Sequence, residues 1–251
     1  SSSGLFEHFR SYAVDVVKEF AIAPGSLVVE IGSNDGTLLK FFREANMRIV
    51  GIDPARDIAK QASNAGVPTI PEYFDPTLSN HIQKEYGQAK LIVANNVYAH
   101  ADQLGELTDG IAKLLDSDGV FVFEVSYLMD IIDKFVFDTV YHEHLSYHSV
   151  KHFVQFFTAP VLHLIDVEIH SSKGGSMRGF VQRADGPQVE RPVVRQMILE
   201  EDRRGLHSPE IFKDYETKIL AHKTALLDYL AQAKQKDLKI AGYGASTTVT
   251  T

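Results

Sequence analysis

The sequence predicts an α/β fold in which a mostly parallel sheet, flanked by helices, is closed by an antiparallel hairpin. Two observations carry this. Apolar runs of strand length alternate with helical patterns over the first half of the 251 residues, as in a parallel sheet covered on both faces. Further on, two strand-like runs, Val161 to His170 and Ser176 to Gln182, are joined by Ser171-Ser172-Lys173-Gly174-Gly175, a glycine-rich connection that turns the chain back on itself.

The elements follow in order. Leu5, Phe9, Ala13, Val16, Val17 and Phe20 recur at helical spacing, and Pro24-Gly25 ends that helix. Leu27 to Ile31 reads as the first strand, followed by a Gly/Ser/Asn/Asp loop and a helix through Leu38, Leu39, Phe41 and Phe42. Arg48 to Ile52 is the second strand, closed by Asp53-Pro54, with a helix at about 57–65 and a short third strand at 67–73. Leu91 to Ala94 forms the fourth strand and ends at Asn95-Asn96. Leu104 to Leu115 is helical, Asp116 to Gly119 stops it, and Val120 to Val125 is a β-branched and aromatic strand.

After the hairpin, Ser208-Pro209-Glu210 combines a cap residue, a first-turn proline and a dipole-favoured acid. Ile211, Tyr215, Ile219, Leu226 and Leu230 then mark a long amphipathic helix. Leu238 to Ala241 resembles one more strand running into Gly242-Tyr243-Gly244-Ala245-Ser246. Such a strand and glycine loop open a βαβ unit, so the chain is expected to be a fragment. The expected units are a helical lead-in at 1–25, a ligand-binding domain at 26–200, and at 201–251 a linker, the long helix and the start of a further domain.

Composition narrows the function. With 44% hydrophobic and 23% charged residues the chain is an ordinary globular protein. A net charge of −8 disfavours a nucleic-acid partner, which needs clustered Lys and Arg. The absence of cysteine excludes disulfides, a thiolate zinc site and a cysteine nucleophile. No apolar run approaches the roughly 20 residues that span a bilayer. The expectation is a soluble, cytoplasmic protein without membrane or nucleic-acid partners, its oligomeric state unspecified.

The loop after the first strand is the first candidate site. Glycines let backbone approach a ligand closely, and a following helix N-terminus offers free N–H groups. The spacing Glu30-x-Gly32-x-x-x-Gly36, with Ser33 and Asn34 between, lacks the three-glycine dinucleotide pattern. S-adenosylmethionine (SAM), which has no pyrophosphate, fits this looser loop better. Glu30 stands where it can accept from the cofactor's ammonium. Asp53 sits where an acid takes ribose hydroxyls, a position shared by SAM and NAD sites. Phe74, with Tyr73, either flanks an adenine ring or belongs to the core. Asn95 and Asn96 end a strand at the ligand-binding edge or simply form a turn.

The second candidate is Phe137-Asp138-Thr139-Val140-Tyr141-His142-Glu143-His144-Leu145-Ser146-Tyr147-His148-Ser149. Metal binding is one reading, with His144, His148 and His152 on one helical face or His142 and His144 on one strand face. No cysteine is available and H-E-x-x-H is absent, so acid–base chemistry is preferred over metal binding and over a structural role. Histidine titrates near neutrality, tyrosine donates a hydrogen bond, and glutamate orients an imidazole.

Together these motifs resemble the SAM-dependent sugar C-methyltransferases, which methylate C3 of nucleoside-diphosphate 4-keto-deoxysugars. The matching strings are Val29 to Gly36, Asn95-Asn96-Val97-Tyr98-Ala99-His100, Tyr141 to His144, Ser172 to Arg178, and Gly242 to Ala245. The resemblance implies a class I methyltransferase Rossmann-like sheet with SAM as cofactor. It also implies a cysteine-ligated zinc domain before this segment and a Rossmann-like domain after it. It assigns His144 as the base on the C3 proton, with a Tyr141 phenolate as the rival base. Tyr141 and Glu143 orient the base or stabilise the enolate, Tyr141 also contacts substrate, and His100 polarises the ketone or positions the sugar. Lys173 and Arg178 become candidate diphosphate contacts. The competing readings are an O- or N-methyltransferase of a small metabolite, an NAD-linked sugar-nucleotide oxidoreductase, and a non-catalytic SAM-binding scaffold.

Overall fold

The computed structural model describes residues 3–159 and 161–244. Helix α1 (Ser3–Glu19) leads into β1 (Leu27–Ile31), α2 (Thr37–Glu44), β2 (Arg48–Ile52), α3 (Arg56–Asn64), β3 (Thr69–Ile70), α4 (Pro76–Tyr86), β4 (Ala89–Asn95), α5 (Leu104–Leu114) and β5 (Leu115–Ser126). Then come α6 (Leu128–Asp133), α7 (Val150–Phe157), β6 (Leu162–His170), β7 (Ser176–Arg183), α8 (Pro192–Arg203) and α9 (Pro209–Gln235). The strands form one seven-stranded sheet in the order β3-β2-β1-β4-β5-β7-β6. β1 to β5 run parallel, and β7 is antiparallel to both β5 and β6. The mostly parallel sheet closed by a hairpin is the expected architecture.

Alternation along the central strands explains why both faces are covered. Val29, Ile92, Phe121 and Phe123 project into one apolar layer with α4, α5 and α7. Their neighbours Val28, Leu91, Val93, Val120 and Val122 project into the other, against α1 and α2. The strand order reverses between β1 and β4, so the loops leaving these two strands diverge and open a crevice at the carboxyl edge.

Several expectations are corrected. The third strand, expected at 67–73, contracts to Thr69–Ile70, because Val67 packs against Gly36 and Pro71 lacks an N–H for the ladder. Helix α4 was not anticipated, although Asp75 caps it by accepting from the Leu78 N–H at 2.7 Å and Pro76 occupies its first turn. The Asp116–Gly119 turn lies inside β5, which begins at Leu115 and shifts register against β4. Helices α6, α7 and α8 were also unassigned. Leu238 to Ala241 is not a strand, and Ala245-Ser246 lies outside the described residues. In α9, Ser208 holds the cap position with extended backbone but makes no side-chain capping bond. Among the described residues, no helix is long and apolar enough to cross a membrane.

Candidate active site

The crevice at the switch point contains a cavity of about 510 Å³. Its floor is Glu30 near the end of β1 and the β1–α2 loop with Gly32, Ser33, Asn34 and Asp35. Asn95 at the end of β4, with Asn96 and Val97 after it, forms a second wall, and Phe9 of α1 a third. The glycines are needed where they stand. Gly32 has φ 71° and a Cβ there would lie 2.7 Å from Val97; Gly36 has the same φ and would meet Val67 at 2.8 Å. The loop is held from outside the cavity by Asp53, whose carboxylate accepts from the Asn34 N–H at 2.8 Å and the Ala55 N–H at 2.9 Å. Asp35 anchors the start of α2 through the Thr37 N–H and hydroxyl.

The polar groups of this cavity are short of partners. Glu30 Oε2, Ser33 Oγ and both amide atoms of Asn95 are buried without a hydrogen bond among the described residues. Asn95 lies close enough to the Tyr12 hydroxyl to oppose its burial-driven rise in pKa, yet the two miss hydrogen-bonding geometry. Burial holds the Glu30 carboxyl well above the usual carboxylate range, and the negative charges of Asp35 and Asp53 push it the same way. Buried polar atoms are ordinarily satisfied. Four unsatisfied atoms around one cavity therefore describe a donor and acceptor set built for a ligand with an ammonium, hydroxyls and a carboxylate, and the amino-acid and ribose parts of SAM match it.

A second cavity of about 250 Å³ adjoins the first, with Asn96 in the wall of both. His100, Tyr141 and His144 line it, together with Ser126, Val136, Asp138 and Thr139. The His144 ring lies 4.6 Å from that of Tyr141 and 4.9 Å from that of His100. His144 Nδ1 is 2.8 Å from the Thr139 carbonyl, and His100 Nδ1 is 2.8 Å from the Glu143 carbonyl. A carbonyl only accepts, so Nδ1 carries the hydrogen in both rings and Nε2 is the basic nitrogen of each. The Tyr141 hydroxyl donates to Glu143 at 3.2 Å. Its pKa is raised, by burial first and then by the Glu143 carboxylate, so Tyr141 is a phenol rather than a phenolate at neutral pH. The Leu145 N–H donates to the Ala99 carbonyl at 2.7 Å, binding this loop to the segment after β4.

The remaining candidates fall elsewhere. Phe74 is in the core, its ring where a Cβ on Gly110 would strike it, and Tyr73 is exposed. Arg178 faces inward from β7. It is 3% exposed, pairs with Glu124 at 3.0 Å and stacks 4.0 Å over the Tyr12 ring. This occupies the guanidinium expected to meet a diphosphate, because strand alternation turns it beneath α1. The Lys173 side chain lies outside the described residues. The helical face proposed for His144, His148 and His152 does not form, since α7 starts only at Val150. His148 is stacked on Phe153, and burial lowers its pKa to about 4, keeping it neutral. His152 bonds to Ser149. Sequence alone assigns no site role to Phe9, Ser126, Asp138 or Thr139; Phe9 stands there only as an apolar position of the first helix, and Asp138 and Thr139 only as members of the histidine-rich segment.

Comparison with known proteins gives the family and the fold. A methyltransferase-domain family model matches residues 6–162, and a C-methyltransferase C-terminal domain model matches residues 171–251, starting in the β6–β7 turn. The chain belongs to the methyltransferase-domain family. It is 32% identical over 246 residues to the C-methyltransferase NovU of Streptomyces niveus, which covers 98% of this chain and 59% of that protein. The chain thus spans 59% of that relative's length. Its fold is shared by magnesium protoporphyrin IX methyltransferase of Synechocystis PCC 6803, solved with bound SAH (TM-score 0.55, 13% identity, 72% of this chain and 84% of that one). A SAM-dependent methyltransferase of Clostridium acetobutylicum shares it too (TM-score 0.56, 10% identity, 72% and 92%). The architecture is that of class I SAM-dependent methyltransferases.

Proposed function

We propose that this chain is the catalytic core of a C-methyltransferase that acts at C3 of a nucleoside-diphosphate 4-keto-deoxysugar. The observation that carries the reading is the pair of adjoining cavities. One is lined with unsatisfied groups suited to SAM, the other with a histidine–tyrosine–histidine group, and they meet at Asn96. Glu30, Ser33, Asn34 and Asn95 hold the cofactor's amino-acid part against Gly32 and Gly36, while Asp53 braces their loop from outside the cavity instead of meeting the ribose from within it. When bound, SAM supplies an electrophilic methyl group.

The chain's residues perform the proton chemistry. His144, its Nδ1–H fixed on Thr139, receives the C3 proton on Nε2; the 4-keto group acidifies that proton and takes up the charge. Tyr141 stays a phenol whose single O–H, donated to Glu143 in the ligand-free site, turns to the enolate oxygen when substrate is bound rather than acting as base. The loop's tie to Ala99 keeps these groups facing Asn96, so the nucleophilic carbon and the methyl group meet across it. Lys173 stays the candidate for the diphosphate: its turn packs Gly174 against Val136, a wall of the second cavity.

The test uses the full-length protein. SAH and not NAD(H) should raise its melting temperature. In D₂O with SAH present, a dTDP-4-keto-6-deoxysugar should gain deuterium at C3. His144→Ala should lower that exchange by about 10²-fold or more, whereas Tyr141→Phe should slow it without abolishing it. Methylation without exchange at C3 would point instead to an O- or N-methyltransferase.

A further inference from the structure

A base that has taken a carbon-bound proton must lose it before the next turnover, and the second cavity contains a group placed to receive it. We infer that His100 relays the abstracted proton from His144 to solvent, an inference that rests on the carbon-methylating reading above. In the neutral ring, the Nδ1–H of His100 is committed to the Glu143 carbonyl at 2.8 Å. Its Nε2 therefore bears no hydrogen. Neutral His100 cannot donate to a substrate ketone, so the polarising role suggested by the family resemblance does not suit this geometry. It can accept a proton.

The partner for that proton is at hand. The His100 and His144 ring centroids are 4.9 Å apart and the rings are inclined at 63°, a separation that one bridging water can span. Both rings have their Nδ1 pinned to main-chain carbonyls of a single turn, Thr139 and Glu143. The Leu145 N–H bond to the Ala99 carbonyl fixes the two segments relative to each other. Exposure supplies the direction: His144 is half-buried in the cavity, whereas His100 is exposed at its rim. The exposed ring exchanges its proton with water, which draws the transfer outward.

The step balances without a further reagent. The C3–H bond breaks, its electron pair moves into the enolate, and the proton bonds to His144 Nε2. That proton then passes to His100 Nε2 and from there to water, returning both rings to the neutral form with Nδ1–H.

The experiment compares the full-length wild type with His100→Gln, whose amide keeps a donor for the Glu143 carbonyl. Two quantities are measured on the same dTDP-4-keto-6-deoxysugar: deuterium wash-in at C3 with SAH, and single-turnover methyl transfer with SAM. Without the relay, the proton lingers on His144 and returns to its own carbon. The ratio of wash-in to methyl transfer should then fall by roughly tenfold, and added imidazole should restore it in His100→Gly. A residue that only positions the sugar would lower both rates together and raise KM. That result, or an unchanged ratio, would overturn the relay. Absence of wash-in in the wild type would instead refute the carbon-methylating reading, and the relay with it. Melting temperatures of both variants identify any loss caused by misfolding.

Discussion

Glu30 places a carboxyl group in a buried wall with one oxygen unsatisfied and two further acids nearby. Its folded pKa is raised, so its contribution to stability is intact below the ordinary carboxylate range and is lost as pH rises through the raised value. Glu30→Gln should therefore stabilise the ligand-free protein at neutral pH, by ~1–3 kcal/mol if it relieves the buried charge, and flatten the change in melting temperature between pH 5 and 8. The same substitution removes the partner of the cofactor's ammonium and should weaken SAH binding by about tenfold or more in calorimetry. A stabilised variant that binds SAH normally would remove Glu30 from the cofactor site. The loop around Glu30 and the Tyr141 to His144 string were legible because each is a local motif. What orients them was not. Thr139 and Glu143 act on the histidines through their carbonyl oxygens, which carry no side-chain signature, and the inward turn of Arg178 depends on Glu124, 54 residues away in sequence.

At the level of elements, Glu201 connects α8 to the catalytic segment. Its carboxylate is fully buried and accepts from the Tyr127 hydroxyl at 3.0 Å and the N–H groups of Val150 and Lys151 at 2.7 and 3.0 Å. Two of these donors are orphan amides at the start of α7, where a negative charge is favoured by the helix dipole. Glu201→Ala leaves two buried donors and one half-buried donor without an acceptor and should cost roughly 3 kcal/mol in urea unfolding. Because α7 begins just after the His144 loop, the variant should also accelerate amide exchange across 141–149. Strong elements such as β1, β4 and α2 were readable from apolar periodicity. Helices α6, α7 and α8 were not: the first two are only 6 and 8 residues long, and distant groups such as Glu201 cap α7. In α4 the Asp75-Pro76 cap was present in the sequence and overlooked.

Over the whole molecule, α1 is seated on the sheet by apolar contacts from Tyr12, Ala13 and Val16 and by a buried charge cluster. Glu124 accepts from Arg178 and from Ser172 and lies 3.2 Å from His8 of α1. Although burial pushes the Glu124 carboxyl up, Arg178 and His8 together hold it below its usual range. Arg178→Met strands that carboxylate and should destabilise the fold by ~3–5 kcal/mol. Limited proteolysis should then cleave α1 sooner, with the KM for sugar nucleotide little changed. A raised KM at unchanged stability would return Arg178 to the diphosphate. Asn96, finally, stands between the two cavities, its left-handed backbone (φ 56°) anchored by the Glu124 carbonyl at 2.7 Å. Under the proposed reading, a partition one residue thick leaves the occupants of the two cavities as near neighbours, so each presents a surface to the other. Their affinities are then linked reciprocally: a donor that improves acceptor binding is itself held more firmly by the acceptor, and demethylated donor left in place bears on how readily product departs.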